Sequence, residues 1–342
     1  MKAARFHPDT QKVSVDIIDI PTPGDNEILV KMRSASLCHT DLMLIHGERP
    51  VPSAGPPEPV TMGHEGAGYV EAWGKNVTGY AKGDRIGFLY IKGCCFECVG
   101  CQLHNLNCTR SRGLLQGFDT DGMLAEYATI DYRNAVHLPK SMLLDTASAF
   151  FCAGFTAFHG IDGCECQPGD WLAVVGCGGL GLFGIKYAKA MGFKVISIDV
   201  NDQALQVAKD AGADLVVNTS AQSDWQATIK RATNGGVRAA AVFSAVQAGY
   251  DTAMKIVGLG GVLMVVGLPP KGITFDPNDL CRKLYRIKAE NTGQPSKLAR
   301  AMQFTAEHNI TPRSEFFKID QISEMIAKME SGKSTRRLTV LF

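Results

Sequence analysis

The sequence predicts an α/β protein of two domains, one β-rich and one built around a doubly wound parallel sheet. Before about residue 150, short apolar runs are separated by turn signals rich in proline and glycine, which is typical of a barrel-like β domain with long loops. After that point, continuous apolar runs recur at a spacing of roughly 20–25 residues with helical patterns between them, as parallel strands buried on both faces require. A length of 342 residues is sufficient for two such domains.

The first part of the chain contains several predicted short strands. Lys12–Ile20 and Glu27–Met32 alternate between apolar and polar residues and are separated by the turn sequence PTPGDN. The runs GYVEAWG and LAEYATI continue this pattern. Pro50–Pro59 has too many prolines for a helix or a central strand, so we expect an ordered surface loop there.

The second part contains the predicted parallel sheet. Its continuous apolar runs predict strands at Trp171–Val175, Val195–Ile198, Leu215–Val217, Ala239–Phe243 and Val262–Val266. Helices are predicted between them, for instance over Leu180–Met191 and Gln203–Ala211. From about residue 290 the pattern changes to the helical segments KLARAMQFTAEHN and ISEMIAKMESG and a final strand, RRLTVLF. We expect this last part to return to the first domain.

Composition and charge argue against several classes of partner. The 35 basic and 34 acidic residues leave a formal charge of +1, so no general attraction to nucleic acid or anionic lipid is expected. No apolar run approaches the ~20 residues needed to span a bilayer. The first residues, MKAARFHPDTQKVSV, lack the apolar core of a secretory signal. We therefore expect a cytoplasmic protein that acts on a small molecule.

A glycine motif lies between the first predicted parallel strand and the helix that follows it. Gly176, Gly178 and Gly181 have the G-x-G-x-x-G spacing that allows a tight turn, close approach of a pyrophosphate to the backbone, and helix–strand packing. Asp199 ends the next strand, where a carboxylate accepts hydrogen bonds from both ribose hydroxyls and repels a 2′-phosphate. The pattern predicts a site for NAD(H) rather than NADP(H). The predicted cofactor-binding set also includes the two residues inside the motif, Gly179 and Leu180.

Five of the eleven cysteines lie within residues 94–108. In a reducing compartment, clustered cysteines hold a metal more often than they form disulfides. Four of them suit a closed tetrahedral zinc site with a structural role, since no coordination position stays open: Cys95, Cys98, Cys101 and Cys108. Cys94 breaks the C-x-x-C spacing but could compete with Cys95 as a ligand.

Three further motifs contain ligand chemistry: CHTD at 38–41, GHEGAG at 63–68 and CAGFT at 152–156. Each is weak alone, because an isolated cysteine is more often a small buried hydrophobe. In this order, with the four-cysteine segment, GCGGLG, VVGLPP and GKSTRR, the chain resembles the zinc-dependent medium-chain alcohol dehydrogenases, particularly the yeast-type members. The resemblance extends essentially from end to end.

The resemblance implies a domain organisation. It implies a GroES-like catalytic domain of residues 1–153 and 289–342 and a Rossmann NAD-binding domain of residues 154–288, with the active site in the cleft between them. It also implies two zinc ions per subunit, one catalytic and one structural. A homotetramer is implied by similarity to the shorter microbial members, with a dimer as the alternative.

The resemblance also implies roles for individual residues around the catalytic zinc. The implied ligands are Cys38, His64 and Cys152. Glu65 is implied to lie beside the metal, Asp41 to orient the histidine ligand, and Thr40 to bond the substrate oxygen and relay its proton.

Cofactor and substrate contacts are implied in the same way. The implied cofactor contacts, besides the glycine motif and Asp199, are His39, Thr156, Val266 and Arg337, with Arg336 as the alternative to the last. Arg49 and Tyr90 are implied to line the substrate pocket, where yeast-type enzymes have tryptophan.

The implied reaction is reversible hydride transfer between NAD(H) and a primary or simple secondary alcohol, or the corresponding aldehyde or ketone. Because Arg49 and Tyr90 change the pocket, a polyol dehydrogenase or an aromatic-aldehyde reductase of the same family remains an alternative. A cofactor-binding relative without catalytic activity is a further alternative, although such a protein should have lost its catalytic ligands.

Overall fold

The computed structural model describes residues 1–48, 58–332 and 334–342. Arg49 and most of the predicted loop Pro50–Pro59 lie outside the described residues. The chain divides into two compact units: unit 1 is Met1–Cys152 with Gln294–Phe342, and unit 2 is Ala153–Gly293.

The secondary structure elements alternate between short strands in the first part and strand–helix pairs in the second. The strands are β1 (Lys2–His7), β2 (Lys12–Ile17), β3 (Glu27–Ser36), β4 (Val60–Thr61), β5 (Glu65–Trp73), β6 (Arg85–Phe88), β7 (Ile91–Lys92), β8 (Leu114–Leu115), β9 (Tyr127–Asp131), β10 (Ala135–His137), β11 (Trp171–Val175), β12 (Lys194–Asp199), β13 (Leu215–Asn218), β14 (Val237–Val242), β15 (Val257–Val265), β16 (Tyr285–Ala289), β17 (Ser314–Phe317) and β18 (Arg337–Leu341). The α-helices are α1 (His39–Ile45), α2 (Val99–Leu103), α3 (Leu144–Ala147), α4 (Ala153–Asp162), α5 (Gly179–Ala190), α6 (Asp202–Asp210), α7 (Trp225–Thr233), α8 (Gln247–Ile256), α9 (Pro277–Cys281), α10 (Leu298–Glu307) and α11 (Ile322–Glu330). In the part of the chain described above, no helix is both long and apolar enough to cross a bilayer.

Unit 1 is β-rich, as the short alternating runs predict. Its largest sheet has the order β10-β6-β5-β3-β18-β17, and β9 also pairs with β3. The last strand of the chain, β18, pairs antiparallel with β3 through Thr339 and Ser36, so residues from both ends of the sequence share one sheet. Side chains such as Ile28, Ile86 and Phe88 are fully buried in its core.

Unit 2 contains a parallel sheet of six strands within residues 153–293, in the order β13-β12-β11-β14-β15-β16. The predicted α/β class with a doubly wound parallel sheet is confirmed. The order reverses between β11 and β14, which is where open sheets of this kind bind ligands. Both the glycine motif and Asp199 follow strands at this end of the sheet.

The sixth strand, β16, is absent from the apolar runs of the sequence. It is an edge strand, and Arg286, Ile287 and Ala289 are exposed, so no continuous apolar run marks it. The chain therefore stays in the parallel sheet longer than the sequence suggests. The chain passes from one unit to the other after residues 152 and 293, whereas the predicted domain boundaries follow residues 153 and 288. Ala289, predicted in the catalytic domain, belongs to unit 2.

Candidate active site and metal centres

The CHTD and GHEGAG motifs are brought together by strand pairing. Cys38 follows β3 and caps the N-terminus of α1, while His64 precedes β5. Because β3 and β5 pair antiparallel with Ser36 opposite Glu65, the residues that leave one strand lie beside those that enter the other. The register of the sheet thus brings together in space two motifs that are separate in the sequence.

Cys152 lies beside Cys38 and His64 because a buried hydroxyl contact holds the preceding segment against β3. It follows a short 3-10 helix, Ser148–Phe150, and the Ser148 hydroxyl lies 2.7 Å from the Ser36 hydroxyl on β3. The ligand atoms of Cys38, His64, Glu65 and Cys152 all lie within 4.8 Å of one another.

The geometry of His64 indicates a metal ligand rather than a core histidine with hydrogen bonds at both ring nitrogens. The Asp41 carboxylate lies 2.7 Å from His64 Nδ1 and also accepts the Cys38 backbone N–H at 2.8 Å. His64 Nε2 is buried and has no hydrogen-bond partner among the described residues. A proton held at Nδ1 leaves the Nε2 lone pair free. Two sulfurs, an imidazole nitrogen and a carboxylate form a donor set that suits zinc.

Burial and close contact shift the pKa values in this group. The hydrogen bond from Cys152, together with His64, holds the pKa of Cys38 well below its usual range, whereas the same hydrogen bond and burial raise the pKa of Cys152. Burial raises the pKa of Glu65 to about 8 although Arg337 opposes it. The thiolate form is therefore favoured at Cys38 and disfavoured at Cys152.

Arg337 takes part in this group by pairing with Glu65. Its guanidinium donates a hydrogen bond to the Glu65 carboxylate, and its Nε is buried without a hydrogen-bond partner among the described residues. Arg336 is exposed. The pairing of Arg337 with Glu65 has no signal in the sequence, because 272 positions separate the two residues.

We expect Asp41→Asn to weaken metal binding at the Cys38/His64/Cys152 group roughly 10–100-fold, the usual effect of losing the outer partner of a histidine ligand. An amide carries no charge and no longer fixes which nitrogen of His64 holds the proton. Zinc affinity, measured by chelator competition, checks this. Asp145→Asn is the control, since Asp145 pairs with Arg33 near the surface of the same unit. Equal zinc affinity in both variants would contradict the role of Asp41.

The four-cysteine segment forms a second compact group. The sulfur–sulfur distances are 3.6 Å for Cys95–Cys108, 3.8 Å for Cys95–Cys101 and 4.0 Å for Cys98–Cys108. A tetrahedral site with Zn–S bonds of about 2.3 Å requires sulfurs about 3.8 Å apart. The group therefore fits a closed four-sulfur site. Cys94 is not a member of it, and its Sγ instead lies 3.1 Å from the Asn105 carbonyl oxygen.

Hydrogen bonds to sulfur favour thiolates in this segment. The pKa of Cys98 is lowered to about 5 by hydrogen bonds from Thr109 and the Cys101 backbone. The pKa of Cys108 is lowered to about 6 by hydrogen bonds from Ser111 and nearby backbone. Since a metal binds the deprotonated sulfur, these donors favour the metal-binding form of Cys98 and Cys108, whereas burial raises the pKa of Cys101 to about 12.

The glycine motif of unit 2 has the geometry of a phosphate-binding turn. Gly176 has φ +93°, and a Cβ on Gly181 would lie 1.9 Å from the Gly176 carbonyl oxygen, so both positions require glycine for the turn itself. A Cβ on Gly178 would meet no atom within 4 Å. Packing within the protein therefore does not require glycine at position 178. A ligand that approaches the backbone at the start of α5 would require it, because a side chain there would block the approach. Gly179 and Leu180 begin that helix.

Asp199 closes the same turn at the end of β12. Its Oδ2 accepts the Cys177 backbone N–H at 2.7 Å, and its Oδ1 accepts the N–H groups of Val200 and Asn201 at 2.8 and 3.0 Å. The carboxylate is therefore held in place by backbone groups of the motif and of the following loop. Carboxylate lone pairs that remain free are available to hydroxyl donors.

The other predicted site residues lie in both units. In unit 1, Thr40 Oγ1 is 3.6 Å from Cys38 Sγ, and His39 is exposed at the start of α1. The half-buried Tyr90 ring is edge-on to the His64 ring with centroids 4.9 Å apart. Phe118 also contacts His64, at 5.4 Å, and no sequence pattern singles it out.

Two predicted nicotinamide contacts lie in unit 2, one on α4 and one directly after β15. Thr156 is a buried residue of α4, and Val266 is a buried residue directly after β15. A Cβ on Gly160, one turn after Thr156 on α4, would lie 3.0 Å from Val266 Cγ2. The remaining predicted pocket residue, Arg49, lies outside the described residues.

Comparisons with known proteins agree with this chemistry. Residues 24–140 match the family model of the alcohol dehydrogenase GroES-like domain, and residues 179–315 match that of the zinc-binding dehydrogenases. The chain is 34% identical to an alcohol dehydrogenase of Geobacillus stearothermophilus over 342 residues, 99% of either chain, and 31% identical to one of Moraxella sp. over 340 residues, also 99% of either chain. It superposes on the crystal structure of an alcohol dehydrogenase from Aeropyrum pernix with a TM-score of 0.87 and 27% identity, over the whole of both chains.

Those relatives cover the chain from end to end, and both family models match in the order that the motifs predict. The chain is therefore an oxidoreductase that belongs to the zinc-dependent medium-chain alcohol dehydrogenases.

Proposed function

We propose that this chain oxidises a primary or simple secondary alcohol with NAD⁺, and reduces the corresponding aldehyde or ketone with NADH. The observation that supports this most directly is the group of Cys38, His64 and Cys152, in which a buried imidazole nitrogen lacks a hydrogen-bond partner among the described residues. A cofactor-binding relative without catalysis would have no reason to keep such a costly group intact.

We assign Cys38, His64 and Cys152 to a catalytic zinc, with Glu65 beside it as an exchangeable carboxylate. When bound, zinc supplies Lewis acidity toward an alcohol or carbonyl oxygen, and NAD(H) supplies the acceptor or donor of hydride. The chain's own contribution is to hold the ligands. Asp41 orients His64, and Arg337 donates a hydrogen bond to Glu65 in a buried setting.

Thr40 is proposed to handle the substrate proton. Its hydroxyl lies against Cys38, at 3.6 Å from the sulfur, so it is next to the proposed metal group. A hydroxyl both accepts and donates a hydrogen bond, and Thr40 can take the proton of the substrate hydroxyl while releasing its own. The overall reaction converts alcohol and NAD⁺ to carbonyl product, NADH and one proton.

The cofactor is proposed to bind unit 2 through the glycine motif and Asp199. The backbone at Gly178 is open to an approaching phosphate, and Asp199 would accept the ribose hydroxyls. Thr156 and Val266 are proposed to contact the nicotinamide, together with His39 and Arg337 from unit 1 as contacts to the phosphates. In this proposal unit 2 is the NAD-binding domain and unit 1 the catalytic domain.

A substrate panel tests the proposal. We expect the highest kcat/KM with NAD⁺ and ethanol or a simple secondary alcohol, since the relatives with 31–34% identity over the whole chain are alcohol dehydrogenases. A preference for sorbitol would instead identify a polyol dehydrogenase, and a preference for benzaldehyde with NADH would identify an aromatic-aldehyde reductase. Zinc content should be close to two per chain. One zinc per chain and no turnover of any substrate would contradict the proposal.

We propose a homotetramer, which sedimentation analysis would distinguish from a dimer, and a cytoplasmic location, which cell fractionation would test.

A further inference from the structure

Arg133 contacts the turn that carries the first cysteine of the four-cysteine segment. It lies in a 3-10 helix, Tyr132–Asn134, directly after β9. Its Nε and Nη2 donate to the two carboxylate oxygens of Asp131 at 2.9 and 2.6 Å, which fixes the plane of the guanidinium. From that position Nη2 donates to the Cys94 carbonyl at 3.2 Å and Nη1 to the Cys95 carbonyl at 3.3 Å.

The same guanidinium covers Phe96, the residue after Cys95. Arg133 Cζ lies 4.2 Å from the centre of the Phe96 ring, within the range of a cation–π contact. Phe96 has φ +65°, a left-handed conformation that is unfavourable for a residue with a side chain and persists only when its surroundings impose it. The Phe96 backbone in turn hydrogen-bonds the Cys101 sulfur.

The turn lies in a segment with little regular secondary structure. The segment around it contains only a five-residue helix, α2, and a three-residue 3-10 helix, Asn105–Asn107. Short elements of this kind are marginal without tertiary contacts. The Arg133 guanidinium contacts three successive residues of the turn: the carbonyl groups of Cys94 and Cys95 and the ring of Phe96.

We propose that Arg133 is a positioning residue. It holds the turn Cys94–Phe96 in the conformation that places Cys95 at the structural zinc site. This inference rests on the proposed structural zinc site. It requires arginine, because the ammonium of lysine is a point charge that cannot make the forked carboxylate contact, both carbonyl contacts and the ring contact together.

The test measures zinc release to a chromogenic chelator, in a Cys38→Ser background in which only the four-cysteine site retains zinc. We expect Arg133→Ala to release zinc roughly 10–100-fold faster, the range typical of lost outer contacts. Arg133→Lys should also release zinc at least about fivefold faster, on the same reasoning. The control is Arg110→Ala, which removes an exposed ion pair with Glu97 on the same segment and should stay within about twofold of the parent.

The outcomes separate the inference from the proposal on which it rests. If the Cys38→Ser parent retains no zinc, the proposed structural site itself is wrong. If it retains one zinc per chain, but both Arg133 variants release it at the rate of Arg110→Ala, the positioning role is wrong. Should Arg133→Ala fail to fold, Arg133→Lys decides the question alone, with circular dichroism and NADH binding as evidence that it is folded.

Discussion

Replacing Cys38 by serine should abolish alcohol turnover while NADH binding and the second zinc are retained. The Cys38 thiolate is favoured by its hydrogen bond with Cys152 and by His64, which lower its pKa. A serine hydroxyl at this position stays protonated and is a poor ligand for zinc, so the metal should be lost from the group. Because a Lewis acid contributes several kcal/mol to such a reaction, we expect kcat to fall on the order of 10³-fold or more.

Three measurements make this prediction specific. Zinc content should drop from two to one per chain, NADH binding by fluorescence should stay near that of the parent, and kcat should fall as stated. Cys281→Ser is the matched control, since Cys281 is exposed and lies outside both cysteine groups of the described chain. Turnover by Cys38→Ser at the level of Cys281→Ser would remove the catalytic-zinc assignment.

Replacing Asp199 by asparagine should lower the preference for NAD⁺. Asparagine keeps one oxygen, which can still accept the Val200 and Asn201 N–H groups, but it loses the negative charge and the oxygen that accepts the Cys177 N–H. Hydrogen bonds to charged groups contribute about 1.5–3 kcal/mol, so kcat/KM for NAD⁺ should fall roughly 10–100-fold. Activity with NADP⁺ should be unchanged or higher, because the repulsion of a 2′-phosphate is removed.

Parallel kinetics with NAD⁺ and NADP⁺ measure this effect. Asp210→Asn is the control, because Asp210 is an exposed carboxylate at the end of α6 in the same unit and accepts only a Gln206 side-chain hydrogen bond in the described contacts. A wild-type preference for NADP⁺ would show that the role given to Asp199 is wrong. So would an Asp199→Asn variant whose NAD⁺ efficiency stays within twofold of the parent.

The sequence predicted the fold best where strands are buried on both faces. The runs that correspond to β11, β12, β14 and the second half of β15 are mostly apolar, because both faces of these strands are buried in unit 2. The apolar run of β13 was also recognised, although β13 is an edge strand whose first residues are only half-buried. β16 was missed for the opposite reason, since an edge strand with exposed Arg286 and Ile287 needs no apolar run. The two edge strands differ in their side chains, since β13 is apolar over Leu215–Val217 whereas β16 contains the exposed Arg286 and the half-buried Lys288.

The four-cysteine group and the distant group differ in how far the sequence could describe them. Cys95, Cys98, Cys101 and Cys108 are close along the chain, so their spacing alone indicates that they can surround one ion. Cys94 lies outside this group because its side chain points toward the Asn105 carbonyl, and the spacing of the cysteines does not predict that direction. The support that Arg133 gives to this turn comes from the 3-10 helix Tyr132–Asn134 and has no local signal in the four-cysteine segment.

By itself the sequence determined the α/β class, the glycine motif that ends the first parallel strand, and the local cysteine spacing, because each depends on residues within one element or one loop. Tertiary structure alone decided the convergence of Cys38, His64 and Cys152 and the pairing of Arg337 with Glu65. These contacts arise from the register of β3 with β5 and β18 and from the Ser36–Ser148 contact. Strand pairing joins residues hundreds of positions apart, and no short-range pattern contains that information.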